Sequence, residues 1–274
     1  VDDCSGKAFA AVGAFGSGGS LRVLDARRWS GTAGGYLAQQ SSNTAVLVER
    51  AAGMRGESLR SMGHACSGCS VAITDASDWS GSAGYASFQS TRDATLVLSG
   101  ATRFSGSAFD SCGSWSTNGS VTLAGCSGWS GGSGDFLGYK AVELALTIRN
   151  MSDSSGVNEL VKEATRSRVT VEGLRNVSNS FKNLGSFKAS DIAINFSDVA
   201  DCSDIAEWMG YKATRAAVTA RRVSNCTKCF DKILQATMNS TAVVSGVTDC
   251  TKAFDNMLWS AEDASLDVDG VTGG

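Results

Sequence analysis

The sequence predicts an all-β or β-rich solenoid, a stack of about 11 coils of 24–25 residues each, from three observations. Apolar residues recur in the same columns along all 274 residues. Each repeat contains a V-x-V segment, whose period of two is typical of a short strand with one buried face. The chain has 32 glycines and no proline, which suits tight corners and strands paired on both edges.

One column, which we call the anchor column, carries a large apolar residue or cysteine in most coils. It comprises Cys4, Trp29, Met54, Trp79, Phe104, Trp129, Ser154, Val177, Cys202, Cys226, Cys250 and Gly274. A single coil cannot bury its own apolar edge, so stacked coils are expected to share one continuous core. This arrangement predicts that Trp79, Phe104 and Trp129 lie in adjacent layers, and it favours core packing of the tryptophans over a sugar-stacking stripe.

Two kinds of solenoid have coils of this size. The segment VSGVTDCTKAFDNMLWSAEDASLDVDGVT resembles coils of the pectin-lyase-like parallel β-helix family and of protist surface β-helix proteins. The segments FSGSAFDSC and CSGKAFAAV resemble the turn of surface leucine-rich repeats. We favour a right-handed parallel β-helix, because the strand positions carry mostly Val, Ala and Ile rather than Leu. The alternative is a leucine-rich-repeat-like solenoid with short helices in the C-terminal half.

We expect residues 1–274 to form a single solenoid domain with two kinds of coil. Residues 1–144 contain Gly/Ser-rich W-S-G coils, which are poor helix formers. In residues 145–274 we expect coils with short helical turns, because Cys226, Cys229, Phe230, Ile233 and Leu234 follow helical spacing.

Composition sets limits on partners and location. The net charge is −3, from 24 basic and 27 acidic residues, so no nucleic-acid partner is expected. No apolar run approaches the roughly 20 residues of a membrane span, and no cofactor is expected. The chain begins at Val1, which indicates a processed form or a piece of a longer protein.

Cysteine content and glycosylation motifs favour an extracellular or cell-surface location. The chain has nine cysteines and six N-x-S/T motifs. The candidate glycosylation sites are Asn118, Asn150, Asn176, Asn195, Asn225 and Asn239.

Cys202, Cys226 and Cys250 are 24 residues apart and are expected to stack. Coils about 4.8 Å apart would put their Cα atoms within the usual disulfide range. Either one inter-coil disulfide or a ladder of buried thiols fits this spacing, and we favour the thiols. Cys66 and Cys69 have only His64 beside them, so no metal site is expected.

The charged residues that stack have opposite signs. Asp3 precedes Arg28 by one repeat, and Asp78 precedes Arg103 in the same column. Catalytic clefts instead gather like-charged carboxylates, so these columns indicate pairing on a solvated face. Asp198 and Asp201 are close in sequence and Asp2 and Asp3 lie at the very end, but no column keeps two or more carboxylates on successive coils for long. The resemblance to pectin-lyase-like proteins therefore implies the scaffold and not an active site.

We therefore expect a non-enzymatic, structural or adhesive extracellular repeat protein. Its partners are expected to be further copies of itself, stacked head to tail, or other surface proteins and glycans. The ends VDDC and VTGG stop at the same phase of the repeat, which fits a filament or part of a longer surface protein. The alternative is a carbohydrate-active β-helix enzyme, a polysaccharide lyase or hydrolase.

Overall fold

The computed structural model describes residues 2–5, 11–12 and 15–272, and these residues form a parallel β-solenoid of about ten turns. The strands are β1 (Ala11–Val12), β2 (Ser20–Leu24), β3 (Tyr36–Leu37), β4 (Ala45–Glu49), β5 (Ser70–Thr74), β6 (Thr95–Ser99), β7 (Ser120–Ala124), β8 (Ala145–Arg149), β9 (Arg168–Arg175), β10 (Ser178–Ser180), β11 (Ser190–Ala200), β12 (Ser203–Ile205), β13 (Thr214–Ser224), β14 (Thr227–Cys229), β15 (Thr241–Thr248) and β16 (Ser265–Thr272). The predicted β-helix and its coil number are confirmed.

One 11-stranded sheet runs the length of the solenoid. Its order is β2-β4-β5-β6-β7-β8-β9-β11-β13-β15-β16, which is the order of these strands in the chain, and every neighbouring pair is parallel. Each coil therefore lies directly on the one before it. The sheet passes unbroken across residue 144, although its strands lengthen from five residues to eight or eleven from β9 onward.

The V-x-V pattern accounts for the main-sheet strands. In β5, Val71 and Ile73 point into the core and are 1% and 0% exposed, whereas Ala72 faces outward and is half-buried. Because side chains alternate between the two faces of a strand, each repeat contributes the same two inward side chains to the core.

The anchor column forms the centre of the core. The rings of Trp79 and Phe104 are 5.1 Å apart, and those of Phe104 and Trp129 are also 5.1 Å apart, stacked nearly parallel in adjacent layers. The Trp79 indole nitrogen donates a hydrogen bond to the carbonyl of Ala51 at 3.1 Å, so the buried polar atom has a partner. Trp29, Trp79 and Trp129 are at most 4% exposed, so core packing is confirmed.

Several residues of each coil adopt positive φ, and three of these positions, which we call corners 1, 2 and 3, lie next to or within the main-sheet strand. Corner 1 directly follows the five-residue strands and lies within the longer strands from β9 onward; it comprises Asp25, Arg50, Asp75, Gly100, Gly125, Asn150, Gly173, Asp198, Arg222, Gly246 and Gly270. Corner 2, three residues later, comprises Asp3, Arg28, Gly53, Asp78, Arg103, Gly128, Asp153, Asn176, Asp201, Asn225 and Asp249. Corner 3 lies two residues before the main-sheet strand, or at its second residue in β11 and β13; it comprises Gly18, Asn43, Gly68, Asp93, Asn118, Glu143, Arg166, Asp191, Arg215, Asn239 and Asp263. Gly, Asn and Asp dominate these columns because they tolerate the left-handed region best.

The short helical turns expected after residue 144 are wrong, since the described part of the chain contains no helix. Phe230, Lys232 and Leu234 have φ values of 60°, 53° and 53°, which a right-handed helix does not allow. Their amides bond to neighbouring coils instead, as in the 3.0 Å bond from Phe230 N to Ile205 O. The apolar spacing reflects a chain that bends around the core, where inter-coil bonds replace the i to i−4 bonds of a helix.

Candidate functional site

Charged side chains of the corners form pairs between successive coils. The expected pairs are present: Arg28 donates to Asp3 at 2.6 and 2.7 Å, and Arg103 donates to Asp78 at 2.7 and 2.8 Å. A further two-bond pair, which the sequence reasoning missed, joins Arg215 to Asp191 at 2.5 and 2.7 Å. These hydrogen bonds lower the pKa of each aspartate. At neutral pH the carboxylates are therefore ionised, and the paired arginine balances the charge of each.

Asp198 and Asp201 lie at different corners, and each has its own partner. Arg222 donates two 2.6 Å hydrogen bonds to Asp198, which lower the pKa of that carboxyl. Asn225 donates to Asp201 at 2.6 Å. A groove of about 590 Å³ runs along this part of the surface and includes Asp198 and Arg222 in its lining. Each of the two carboxylates therefore pairs with a side chain of the next coil, and the two do not form an acid–base pair.

A second pair of carboxylates, Asp110 and Asp135, stacks in the turn-rich part of two adjacent coils. The Ser111 amide donates to the Asp135 carbonyl at 2.8 Å, which places the two residues at equivalent positions. Burial raises the pKa of Asp110 to about 7, and the nearby Asp135 raises it further. Burial also raises the pKa of Asp135 to about 6, against a 2.6 Å hydrogen bond from the Asn158 amide.

Sequence reasoning missed this carboxylate pair. Asp110 and Asp135 each lie six residues after an anchor, Phe104 and Trp129, so the same repeat alignment contains them. The columns traced from the sequence stayed close to the anchor. Only the folded structure shows that this column is half-buried and therefore shifts the protonation of its acids.

Four cysteines form a buried thiol cluster near the C-terminal end. Cys202, Cys226 and Cys250 stack as expected, Cys229 adjoins them, and all four are at most 7% exposed. Hydrogen bonding to Cys226, together with burial, raises the pKa of Cys202 and of Cys229. All nine cysteines are free thiols, so the structure shows the thiol ladder and contains no disulfide among the described residues.

Five of the six candidate glycosylation sites lie at corners and are exposed. They are Asn118, Asn150, Asn176, Asn225 and Asn239. The exception, Asn195, lies on the outward face of β11 and is half-buried. The side-chain amides of Asn118, Asn176 and Asn225 each donate to the aspartate of the preceding coil at 2.6–2.7 Å. Asparagine is favoured at the corners because it tolerates positive φ, and this preference accounts for five of the six motifs. The five asparagines are distributed over all three corners.

The two ends of the main sheet are open. The outermost strands are β2 and β16, and within the described ranges no strand pairs with their outer edges. On β16 the core-facing residues Leu266 and Val268 are 39% and 50% exposed, whereas the same positions in β15 are buried. At the opposite end lies an apolar depression of about 470 Å³. Its lining includes Val12, Leu21, Val23, Trp29 and Leu37.

Among the described residues, no three His, Cys, Asp or Glu side chains are placed to hold a metal ion, and no helix is long and apolar enough to span a bilayer. Comparison with known proteins gave no match: no protein-family model, no curated protein and no solved structure is similar to this chain. The features that bear on function are therefore those of the chain itself: the corner ion pairs, the half-buried acids, the thiol cluster and the unpaired edges of β2 and β16.

Proposed function

We propose that this protein is an extracellular structural repeat protein that associates head to tail through the open ends of its solenoid. The observation that carries the proposal is the exposure of core positions on β16, where Leu266 and Val268 lie at an unpaired sheet edge. An exposed edge strand presents backbone donors and acceptors in a row, and it templates the addition of another strand. Covering that edge buries apolar surface at roughly 25 cal/mol per Å².

The ion pairs between corner residues of successive coils support a structural role. Ion pairs such as Asp198–Arg222 and Asp191–Arg215 join one coil to the next along the outside of the solenoid. A stack of coils joined in this way extends along one axis, which suits a filament or a stalk. Its exposed corners offer sites of contact with other surface proteins and with glycans.

Sedimentation velocity over a range of concentrations tests the association. The weight-average mass of the wild-type chain is expected to rise above 28.2 kDa with concentration, whereas a Val268→Lys variant stays monomeric. Thr147→Lys is the matched control, because Thr147 faces outward in the middle of the sheet on β8. Wild-type protein that sediments as a monomer at every concentration would contradict the proposal.

The extracellular location has a separate test. The exposed corner asparagines support it, as do the six N-x-S/T motifs. The chain secreted from eukaryotic cells is expected to lose mass on treatment with an N-glycosidase, as measured by intact mass spectrometry. An unchanged mass would remove this support.

The carbohydrate-active enzyme stays as a second candidate because of Asp110 and Asp135. Two stacked carboxyl groups with raised pKa values are the kind of pair that glycoside hydrolysis uses. A screen on acidic polysaccharides separates the candidates. Cleavage that disappears in Asp110→Asn and persists in Asp198→Asn would support the enzyme and contradict the purely structural role.

A further inference from the structure

One outward-facing column of the main sheet is charged only at its two ends. In register from β2 to β16 it reads Arg22, Leu47, Ala72, Val97, Thr122, Thr147, Thr170, Asn195, Thr219, Val243 and Asp267. Arg22 and Asp267 are exposed, and neither has an ion-pair partner within the part of the chain that the structure describes. The two open edges therefore carry opposite charges at the same position of the repeat.

The corner columns match across the ends as well. Corner 3 ends in Asp263 at the C-terminal coil and begins with Gly18 at the N-terminal coil. A Cβ atom on Gly18 would meet nothing within 4 Å. Inside the solenoid the same column contains a similar order, with Gly68 directly above the carboxamide oxygen of Asn43. Gly18 thus leaves free the space that an Asp263 side chain from below requires.

Corner 1 gives a second precedent. It ends in Gly270 and begins with Asp25, and the same order, glycine below and aspartate above, occurs internally at Gly173 and Asp198. The corner 1 junction between the ends therefore repeats one that the solenoid already contains, and the corner 3 junction differs from the Asn43–Gly68 junction only in having aspartate in place of asparagine.

We propose that β16 of one copy pairs in parallel with β2 of a second copy in the register of the repeat, so that Asp267 lies beside Arg22. This inference rests on the proposed function and specifies its interface. In this register Leu266 and Val268 lie under Leu21 and Val23, which line the apolar depression at the N-terminal end. Parallel coils about 4.8 Å apart bring the carboxylate and the guanidinium within reach of each other.

The register also fixes the polarity of the assembly. Joining two N-terminal ends would place Arg22 against another Arg22, and joining two C-terminal ends would oppose Asp267 with Asp267. Like charges at a strand interface are destabilising, so head-to-tail stacking is favoured. Asp2 of the upper copy and Thr272 of the lower copy would both lie beneath Arg27 of the upper copy in this register, so one of these two chain ends moves aside on binding.

Charge reversal tests the register. Arg22→Asp alone and Asp267→Arg alone are each expected to weaken self-association roughly tenfold, as measured by sedimentation velocity at low salt. The chain that carries both substitutions is expected to recover wild-type association, because the opposite charges are restored across the joint. In an equimolar mixture, the two single variants are expected to associate with each other, because opposite charges then meet at every joint between them. Arg221→Asp is the control, because it changes the net charge by the same amount as Arg22→Asp but lies on β13, which is paired on both edges.

The outcomes separate this inference from the proposed function. If Val268→Lys abolishes association and the charge reversals leave it unchanged, the ends associate but the register is wrong. If the double variant stays as weak as the single variants, the Asp267–Arg22 pair is also wrong. If the wild-type chain does not associate at all, the proposed function itself fails.

Discussion

Gly84 lies against the face of the Trp79 indole, so closely that a Cβ atom at Gly84 would be 2.9 Å from Cζ3 of Trp79. Gly34 and Gly134 have the same relationship to Trp29 and Trp129. In the coil between those of Trp79 and Trp129, the anchor is the smaller Phe104, and Phe109 occupies the position of the glycine. A large anchor is thus matched with glycine, and a smaller anchor with a second ring.

Gly84→Ala is expected to destabilise the protein more than Gly125→Ala does. Both glycines have positive φ, 72° and 61°, so both substitutions cost about 1–2 kcal/mol of backbone strain. At Gly125 the nearest atom is 4.0 Å away, whereas at Gly84 the new methyl group collides with Trp79 and adds about 1–3 kcal/mol. Urea unfolding of both variants measures the difference, and equal losses would show that the glycine serves the turn alone.

Phe104→Trp and Phe109→Gly are expected to be coupled. The first overpacks its coil, and the second removes a buried ring at a cost of about 3–5 kcal/mol. Together they give this coil the Trp–Gly arrangement of its neighbours, so the double variant loses less stability than the two single losses added. A double-mutant cycle measured by urea unfolding checks this. Additive losses would contradict the matching of anchor and partner.

The half-buried acids make stability depend on pH. Aspartates in the unfolded chain titrate near pH 4, whereas Asp110 and Asp135 in the folded chain titrate near 7 and 6. Between those values the folded state binds more protons than the unfolded state, so the free energy of unfolding falls as the pH rises from about 4 to 7. For Asp110, discounted for its partial exposure, this amounts to about 1–2 kcal/mol.

Replacing Asp110 should therefore flatten the pH profile. Urea unfolding of Asp110→Asn at pH 5 and pH 8 is expected to show a smaller difference than the wild-type chain. Asp198→Asn is the control, because the Arg222 hydrogen bonds lower the pKa of Asp198, so its contribution is lost only in more acidic solution. An unchanged pH dependence in Asp110→Asn would exclude this carboxyl as the titrating group.

Thiol reactivity should report on the buried clusters. Cys4 is partly exposed, and the other eight cysteines are buried. The reduced, native chain is expected to react promptly with Ellman's reagent at one thiol, and at the remaining eight only after unfolding. Cys4→Ser should abolish the fast phase. Prompt reaction at Cys226 or its neighbours would mean that the C-terminal coils open in solution.

Some of these relationships were predictable because the repeat is visible in the sequence. Once the period is known, vertical neighbours follow, and the Asp78–Arg103 pair and the stacked Cys226 and Cys250 were predicted in this way. The helical turns after residue 144 were predicted wrongly. Apolar residues three and four apart also occur where a chain bends around a core, and their φ values do not appear in the sequence.

The sequence by itself determined the β-solenoid, its coil number and which residues stack, since one repeat aligned with the next defines every column. Only the tertiary structure decided how deeply each column is buried and what fills the space beside it. The shifted protonation of Asp110, the space beside Trp79 and the open edges at Arg22 and Asp267 are of this kind. They depend on the chain surrounding a side chain on all sides, whereas periodicity reports only its neighbours above and below.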